Sequence, residues 1–217
     1  MENLILCFEI IGVISFALTG AMTGLRKGMD IFGVCVLGLT TAVGGGIVRD
    51  LILGLTPPAA FRDPLSVLTA LAVSVIVFIP AVRRLLYRNR RLYEIVLLIA
   101  DSAGLGIFTV CGARVAIEAG YGDNFFLVIF VAALTGVGGG VLRDVFAGDR
   151  PYIFVKHVYA CSALLGAVVC AYLWPLAGRN GAMLAGFALI FVMRLCSAHF
   201  HWSLPHAQQL DEEKNVS

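Results

Sequence analysis

The chain reads as long apolar runs separated by short polar breaks. Seven runs stand out. They cover residues 4–25, stopped by Arg26-Lys27; 31–55, stopped by Thr56-Pro57-Pro58; 64–82, stopped by Arg83-Arg84; 92–113; 125–147, stopped by Gly148-Asp149-Arg150-Pro151; 157–174, ended by Pro175; and 182–200. About 20 apolar residues in a helix cross the ~30 Å hydrocarbon layer of a bilayer. Only a helix satisfies its own backbone hydrogen bonds there without a closed barrel. The first run lacks a basic stretch ahead of it and continues past Phe16, so it reads as a spanning helix, not a cleaved leader. Residues 205–217 form a polar tail.

Composition removes the soluble alternative. Hydrophobic residues make up 59% of the chain and charged ones 14%, with a mean hydropathy of +0.91. A soluble domain carries about 25% charged residues, so lipid must cover the remaining surface. A net charge of +2 gives no polyelectrolyte face, which excludes nucleic acid as a partner. Basic residues cluster at Arg26-Lys27, at Arg83, Arg84, Arg88, Arg90 and Arg91, and at Arg150 and Lys156. By the positive-inside rule these loops are cytoplasmic, which places the amino terminus outside and the carboxyl terminus inside. Six cysteines lie in or beside apolar runs without metal-like spacing, and the four histidines form no catalytic or metal pattern. The expectation is a chain that is not an enzyme and carries no metal or cofactor.

One string occurs twice. Residues 41–57 read TAVGGGIVRDLILGLTP and residues 135–151 read TGVGGGVLRDVFAGDRP, at a constant offset of 94. Upstream the match continues at an offset of 92: Glu9 with Asp101, Phe16 with Phe108, Gly20-Ala21 with Gly112-Ala113, and Gly28 with Gly120. Spans one to three therefore repeat as spans four to six. An odd number of spans per unit inverts the second copy in the membrane, and inverted repeats place transport sites at their interface. The predicted fold is an all-α membrane protein of seven transmembrane helices. A first three-helix repeat covers residues 4–84, an inverted second repeat 92–175, and a seventh helix 182–200.

The repeated string carries the candidate chemistry. Three glycines in a membrane helix each cost about 1 kcal/mol of helix propensity relative to alanine. They also strip side chains from adjacent positions, which serves either close helix packing or a cavity lined by bent backbone. Doubling at matched positions favours the cavity, so Gly44, Gly45, Gly46, Gly138, Gly139 and Gly140 are candidate pore residues. Arg49-Asp50 and Arg143-Asp144 follow about one turn later, a depth at which ionisable groups usually face the bundle interior. Adjacent helical residues do not face each other, so each Arg is expected to pair with another helix and not with its own Asp. Glu9 and Asp101 form a second matched pair, and Thr41 and Thr135 could add hydroxyls to a polar path or simply bond to their own helices.

These residues resemble the prokaryotic branch of the trimeric intracellular cation (TRIC) channel family. The doubled GGGxxRD motif, the three-plus-three-plus-one plan and the segment LRDVFAGDRP carry the resemblance across about residues 4–200. It implies homotrimers in the prokaryotic inner membrane, each protomer holding its own potassium-permeable pore. It also implies that the second and fifth helices bend at their glycine triplets to line that pore. Sequences of this kind are also described as glycine transporters. Two expectations therefore stand: a channel for monovalent cations such as potassium, and a secondary carrier of a small zwitterion such as glycine.

Overall fold

The computed structural model describes residues 2–155, 158–200 and Trp202. Lys156, His157, His201, His206 and the tail at 205–217 lie outside the described residues. The rest is helical: α1 (Glu2–Arg26), α2 (Ile31–Ile52), α3 (Ala59–Arg62), α4 (Leu65–Phe78), α5 (Pro80–Tyr87), α6 (Arg90–Ala116), α7 (Phe125–Phe146), α8 (Tyr152–Val155) and α9 (Val158–His199). A π-helical turn, Ile117–Tyr121, continues α6. Five of these helices, with the π turn counted in α6, are long and apolar enough to cross a membrane, and the bent pair α4–α5 would make a sixth. Large apolar side chains stay exposed on their outer faces, Phe32 at 74% and Phe126 at 79% among them. Lipid contact accounts for such surface in a multi-pass membrane protein.

Helix ends follow local chemistry. Asp30, Asn89 and Asn124 precede α2, α6 and α7, and each side chain accepts a backbone N–H from the first turn. The far ends of α2 and α7 close identically. Leu55 N–H donates to the Asp50 carbonyl and Asp149 N–H to the Asp144 carbonyl, with Gly54 and Gly148 both at φ 70°. That left-handed backbone favours glycine.

Two expected boundaries are corrected. The run at 64–82 is not one helix, because α4 and α5 bend by 73°. Ile79 sits between them with φ −56° and ψ 131°, the extended conformation that a following proline, here Pro80, imposes. α4 alone is about 21 Å long at 1.5 Å per residue. Conversely, Pro175 does not end its helix. α9 runs through it and breaks at Gly178, where φ 68° and ψ 173° demand glycine.

α1 packs on α2, α4 and α6; α2 packs on α7; α6 packs on α7 and α9. One apolar core gathers Val13, Phe16, Ala17, Ala42 and Ala70. Another gathers residues of α6, α7 and α9, from Ile107 to Met183. The crossing of α2 and α7 lies between these halves and positions the site.

Candidate functional site

α2 and α7 run antiparallel where they cross, and the glycine triplets are the crossing point. A methyl group placed on Gly45 would strike the Thr135 carbonyl oxygen, and one on Gly139 would strike that of Thr41. Gly138 rests against the Gly45 Cα at 3.2 Å, measured from where its Cβ would be. Backbone therefore meets backbone, which any side chain would prevent.

The third glycine of each triplet does something else. Arg49 folds back over Gly46, its Nη2 3.7 Å from the place of the missing Cβ, and Arg143 does the same over Gly140 at 3.8 Å. These glycines make room for a guanidinium one turn along the same helix. Thr41 and Thr135 serve packing. Each hydroxyl donates to the carbonyl four residues back, Leu37 and Val131, at 2.6 Å, and each presses on a glycine of the neighbouring helix, Gly20 or Gly112.

The phenylalanines at matched positions complete the crossing. Phe16 and Phe108 pack with ring centroids 5.1 Å apart. Phe16 fills the space at Gly104, and Phe108 lies 3.3 Å from the place of the Gly12 Cβ. Phe16 also borders Gly139 at 3.1 Å. The sequence alignment paired these rings, but nothing in their apolar character marked them as site residues.

A cavity opens at the carboxyl end of each crossing helix. The one beside α2, ≈ 140 Å³, is lined by Glu9, Gly46, Arg49, Asp50, Asp63 and Phe108, among others. The one beside α7, ≈ 610 Å³, is lined by Arg26, Lys27, Arg143, Asp144, Asp149 and Arg150, with Thr23, Leu97 and Tyr152. Ionisable residues thus give three carboxylates against one guanidinium in the first, and four cations against two carboxylates in the second. Gly44, Gly45, Gly138, Gly139, Gly140, Thr41, Thr135 and Asp101 line neither.

The Arg-Asp pairs correct an expectation. Arg49 Nε donates to its own neighbour Asp50 at 2.8 Å, and Arg143 Nε to Asp144 at 2.9 Å. Adjacent side chains diverge on a helix, but the vacant position at Gly46 or Gly140 lets the long arginine turn back to its neighbour. The second oxygen of each aspartate is also engaged. Asp50 Oδ2 accepts Ala59 N–H at 2.8 Å, and Asp144 Oδ2 accepts Tyr152 N–H at 2.9 Å. Both carboxylates thus tie the following short helix to its long one.

Arg143 alone adds a partner on another helix: Nη1 donates to Asp101 at 2.9 Å. Asp101 Oδ2 faces Arg194 Nη2 of α9 at 3.8 Å, and Arg194 lies 4.7 Å over the Tyr159 ring. All four are buried. Arg143 Nη2, Tyr159 OH and Asp101 Oδ2 lack hydrogen-bond partners among the described residues. Sequence reasoning passed over Arg194, although a single arginine inside an apolar run is itself a signal. Glu9, the counterpart of Asp101, accepts from Arg114 Nη2 at 2.7 Å and stays partly open to the smaller cavity.

In the wall of the larger cavity, Asp149 pairs with both Arg26 and Lys27. The hydrogen bond from Lys27, aided by the charges of both cations, holds its carboxyl below the usual range. No group of three or more His, Cys, Asp or Glu side chains among the described residues could hold a metal ion.

Fold and site together define a multi-pass α-helical membrane protein, with two oppositely charged cavities facing each other across a glycine-packed helix crossing. The family model described as "Glycine transporter" matches residues 6–81 and 98–175, and the chain belongs to this family, the prokaryotic branch of the TRIC proteins. A UPF0126 membrane protein of Deinococcus radiodurans is 39% identical over 199 residues, 91% of this chain and 89% of that protein. The inner membrane protein YadS of Escherichia coli is 32% identical, covering 93% and 95%. Among solved structures, a prokaryotic TRIC channel in 0.5 M KCl superposes with a TM-score of 0.84 at 31% identity, covering 94% of this chain and 100% of that one. The TRIC trimeric intracellular cation channel orthologue from Rhodobacter sphaeroides gives 0.83 at 35% identity, covering 92% and 100%.

Proposed function

We propose that this protein is a channel for monovalent cations, potassium among them, with one pore in each protomer of a homotrimer in the inner membrane. The observation that carries the reading is the crossing of α2 and α7. Two cavities approach it from opposite ends of the bundle, and at the crossing itself glycine meets the Thr41 and Thr135 backbone, with Leu142 and the Phe16–Phe108 pair as the neighbouring side chains. A small shift of two helices packed through glycine would join the cavities into a water-filled path with weak sites, as conduction requires. On this reading α9 counts as two spans broken at Gly178, and α4–α5 as one, which makes seven. The exchanged contacts of Gly45 with Thr135 and Gly139 with Thr41 support an inverted three-plus-three repeat. The smaller cavity then faces outward and the larger, basic one inward, with the amino terminus outside and the carboxyl terminus in the cytoplasm.

The trimer and the cation rest on likeness to the TRIC channels. A second reading, carriage of a small zwitterion such as glycine, is favoured by the family model's description and by a cavity that holds both a guanidinium and carboxylates. Purified protein in planar bilayers should give discrete potassium currents. Uptake of labelled glycine by proteoliposomes without any such currents would transfer the assignment to the carrier.

A further inference from the structure

Glu9 is a carboxylate of the smaller cavity that a guanidinium from another helix already occupies. Arg114 of α6 donates its Nη2 to Glu9 Oε1 at 2.7 Å. Glu9 borders the smaller cavity with its side chain 39% exposed, whereas its counterpart Asp101 is sealed at 3%. Asp50, in the same cavity, spends both oxygens on Arg49 and Ala59 N–H.

Arg114 departs from the repeat. At the offset that pairs Glu9 with Asp101, the counterpart of Arg114 is Met22, so this guanidinium exists only in the second copy. Its other face is unsettled. Arg114 Nε is buried without a hydrogen-bond partner and stands 3.7 Å from Glu118 Oε2. Glu118 lies on the π-helical turn Ile117–Tyr121, and its other oxygen sits 3.5 Å from Arg179, just past the break at Gly178. The arginine thus has one carboxylate it holds and a second within a small rotation of its reach.

We infer that Arg114 is a tethered counter-ion that competes with permeating cations for Glu9, and that Glu118 is the alternative acceptor that releases it. The inference rests on the channel reading above. A cation reaching Glu9 displaces the guanidinium toward Glu118, so the outer cavity binds cations weakly instead of trapping them, which conduction favours. Arg114 is a specificity-determining residue in this scheme, and Glu118 a positioning residue that acts through it.

The test measures potassium currents of the full-length protein in planar bilayers at about 0.01 M KCl, where the Debye length is about 30 Å and fixed charge acts at full range. Arg114→Met, which copies the other repeat, should raise conductance about threefold and lower the half-saturating potassium concentration. Glu118→Gln should lower conductance by about half, because Arg114 then stays on Glu9. In a Glu9→Gln background neither substitution should have an effect. A folded Arg114→Met protein that conducts like the parent overturns the inference, as does a gain that persists without Glu9.

A second measurement does not need conduction. Ser66 shares the cavity wall with Glu9 and is partly exposed. With the six native cysteines replaced and Ser66→Cys introduced, Arg114→Met should raise the rate of labelling by a cationic methanethiosulfonate relative to an anionic one. An unchanged ratio overturns the inference. A raised ratio in a parent that passes no potassium removes the channel reading and leaves Glu9 as a cation site guarded by Arg114.

Discussion

The two copies of the glycine motif share their sequence and their closing turn, yet they end in different surroundings. Arg49 holds only Asp50 and opens onto a small acidic cavity, with its side chain 11% exposed. Arg143 holds Asp144 and Asp101 together, at 2% exposure, beneath Arg194 and Tyr159 of α9. Part of the difference comes from α9, whose second arm carries Arg194 and has no counterpart in the first repeat. It covers one end of the crossing and leaves the other uncovered. An internal duplication therefore supplies a similar backbone twice, and the unrepeated helix makes one end structural and leaves the other open.

The sharpest way to break this comparison is to remove each arginine. Losing one member of a buried charge pair costs about 3–5 kcal/mol. Arg143→Met leaves Asp101 facing only Arg194 at 3.8 Å, so a loss near that size is expected. Arg49→Met should cost about 1–2 kcal/mol, because Asp50 keeps its bond from Ala59 N–H and borders a cavity that water can enter. Thermal denaturation in detergent, followed by size exclusion, reads both. Adding Asp101→Asn to Arg143→Met should not recover the loss, since Asp144 is still without Arg143 and the buried Arg194 then loses the carboxylate it faces. Equal losses for the two arginines would erase the distinction between the ends.

The glycines give the next effect. Alanine at Gly45 or Gly139 drives a methyl into a carbonyl of the opposing helix, and overpacking of this kind costs about 1–3 kcal/mol. Both should lower the melting temperature and disturb potassium flux to a similar degree, since the contacts are exchanged between copies. Gly140→Ala meets Tyr159 OH at 3.1 Å and should cost less, while Gly46→Ala meets nothing nearer than 3.7 Å and should be the mildest of the four. A Gly46→Ala protein as damaged as Gly139→Ala would mean that the triplet acts as a unit and not position by position.

Much of this was legible beforehand, for specific reasons. The runs between charged stops gave the long helices, because bilayer thickness sets their length. The doubled GGGxxRD marked the place, but the sequence favoured a cavity lining for the triplets, whereas Gly45 and Gly139 pack on the backbone of the opposing helix. What failed was local and three-dimensional. The pairing of Arg49 with Asp50 contradicts helix-wheel reasoning, and only the space above Gly46 explains it. The break of the third span at Ile79 was written in Pro80, but the apolar run masked it. Arg194 lies outside the repeat and Arg114 lies within it opposite Met22, so a search for matched residues could mark neither.

Smaller effects separate the ends further. Asp149 bridges α1 to the loop after α7 through Arg26 and Lys27, at the mouth of the basic cavity. Its carboxyl titrates below the ordinary value of 3.8, so the bridge contributes stability above that value and loses it as pH falls through the lowered one. Between pH 5 and 8 it should therefore be insensitive to acid and sensitive to salt. Asp149→Asn should cost at most about 1 kcal/mol, since the pair is partly exposed, and half the loss should be mimicked by raising salt to about 1 M, where screening acts within about 3 Å. A marked destabilisation of the parent between pH 7 and pH 5 would assign the bridge to a different titrating group.

The least effect, and the one that compares the cavities most directly, is rectification. On the channel reading, permeant cations meet an excess of carboxylate at the α2 end and an excess of Arg and Lys at the α7 end. Fixed charge in a narrow mouth raises or lowers the local concentration of mobile ions, so cations should flow more readily from the acidic mouth toward the basic one. At about 0.01 M KCl the currents at equal and opposite voltages should differ by about twofold, and the ratio should approach one near 1 M as the fields are screened. Arg150→Gln lightens the basic mouth without touching the buried Asp101–Arg143 pair, and should bring the low-salt ratio closer to one. Asp63→Asn at the acidic mouth should do the same from the other side. The two substitutions together halve the net charge at both mouths and should reduce the asymmetry by about half, while leaving the high-salt conductance where it was. If the ratio in the parent does not depend on salt, the asymmetry lies in the shape of the path and not in the charge of its ends.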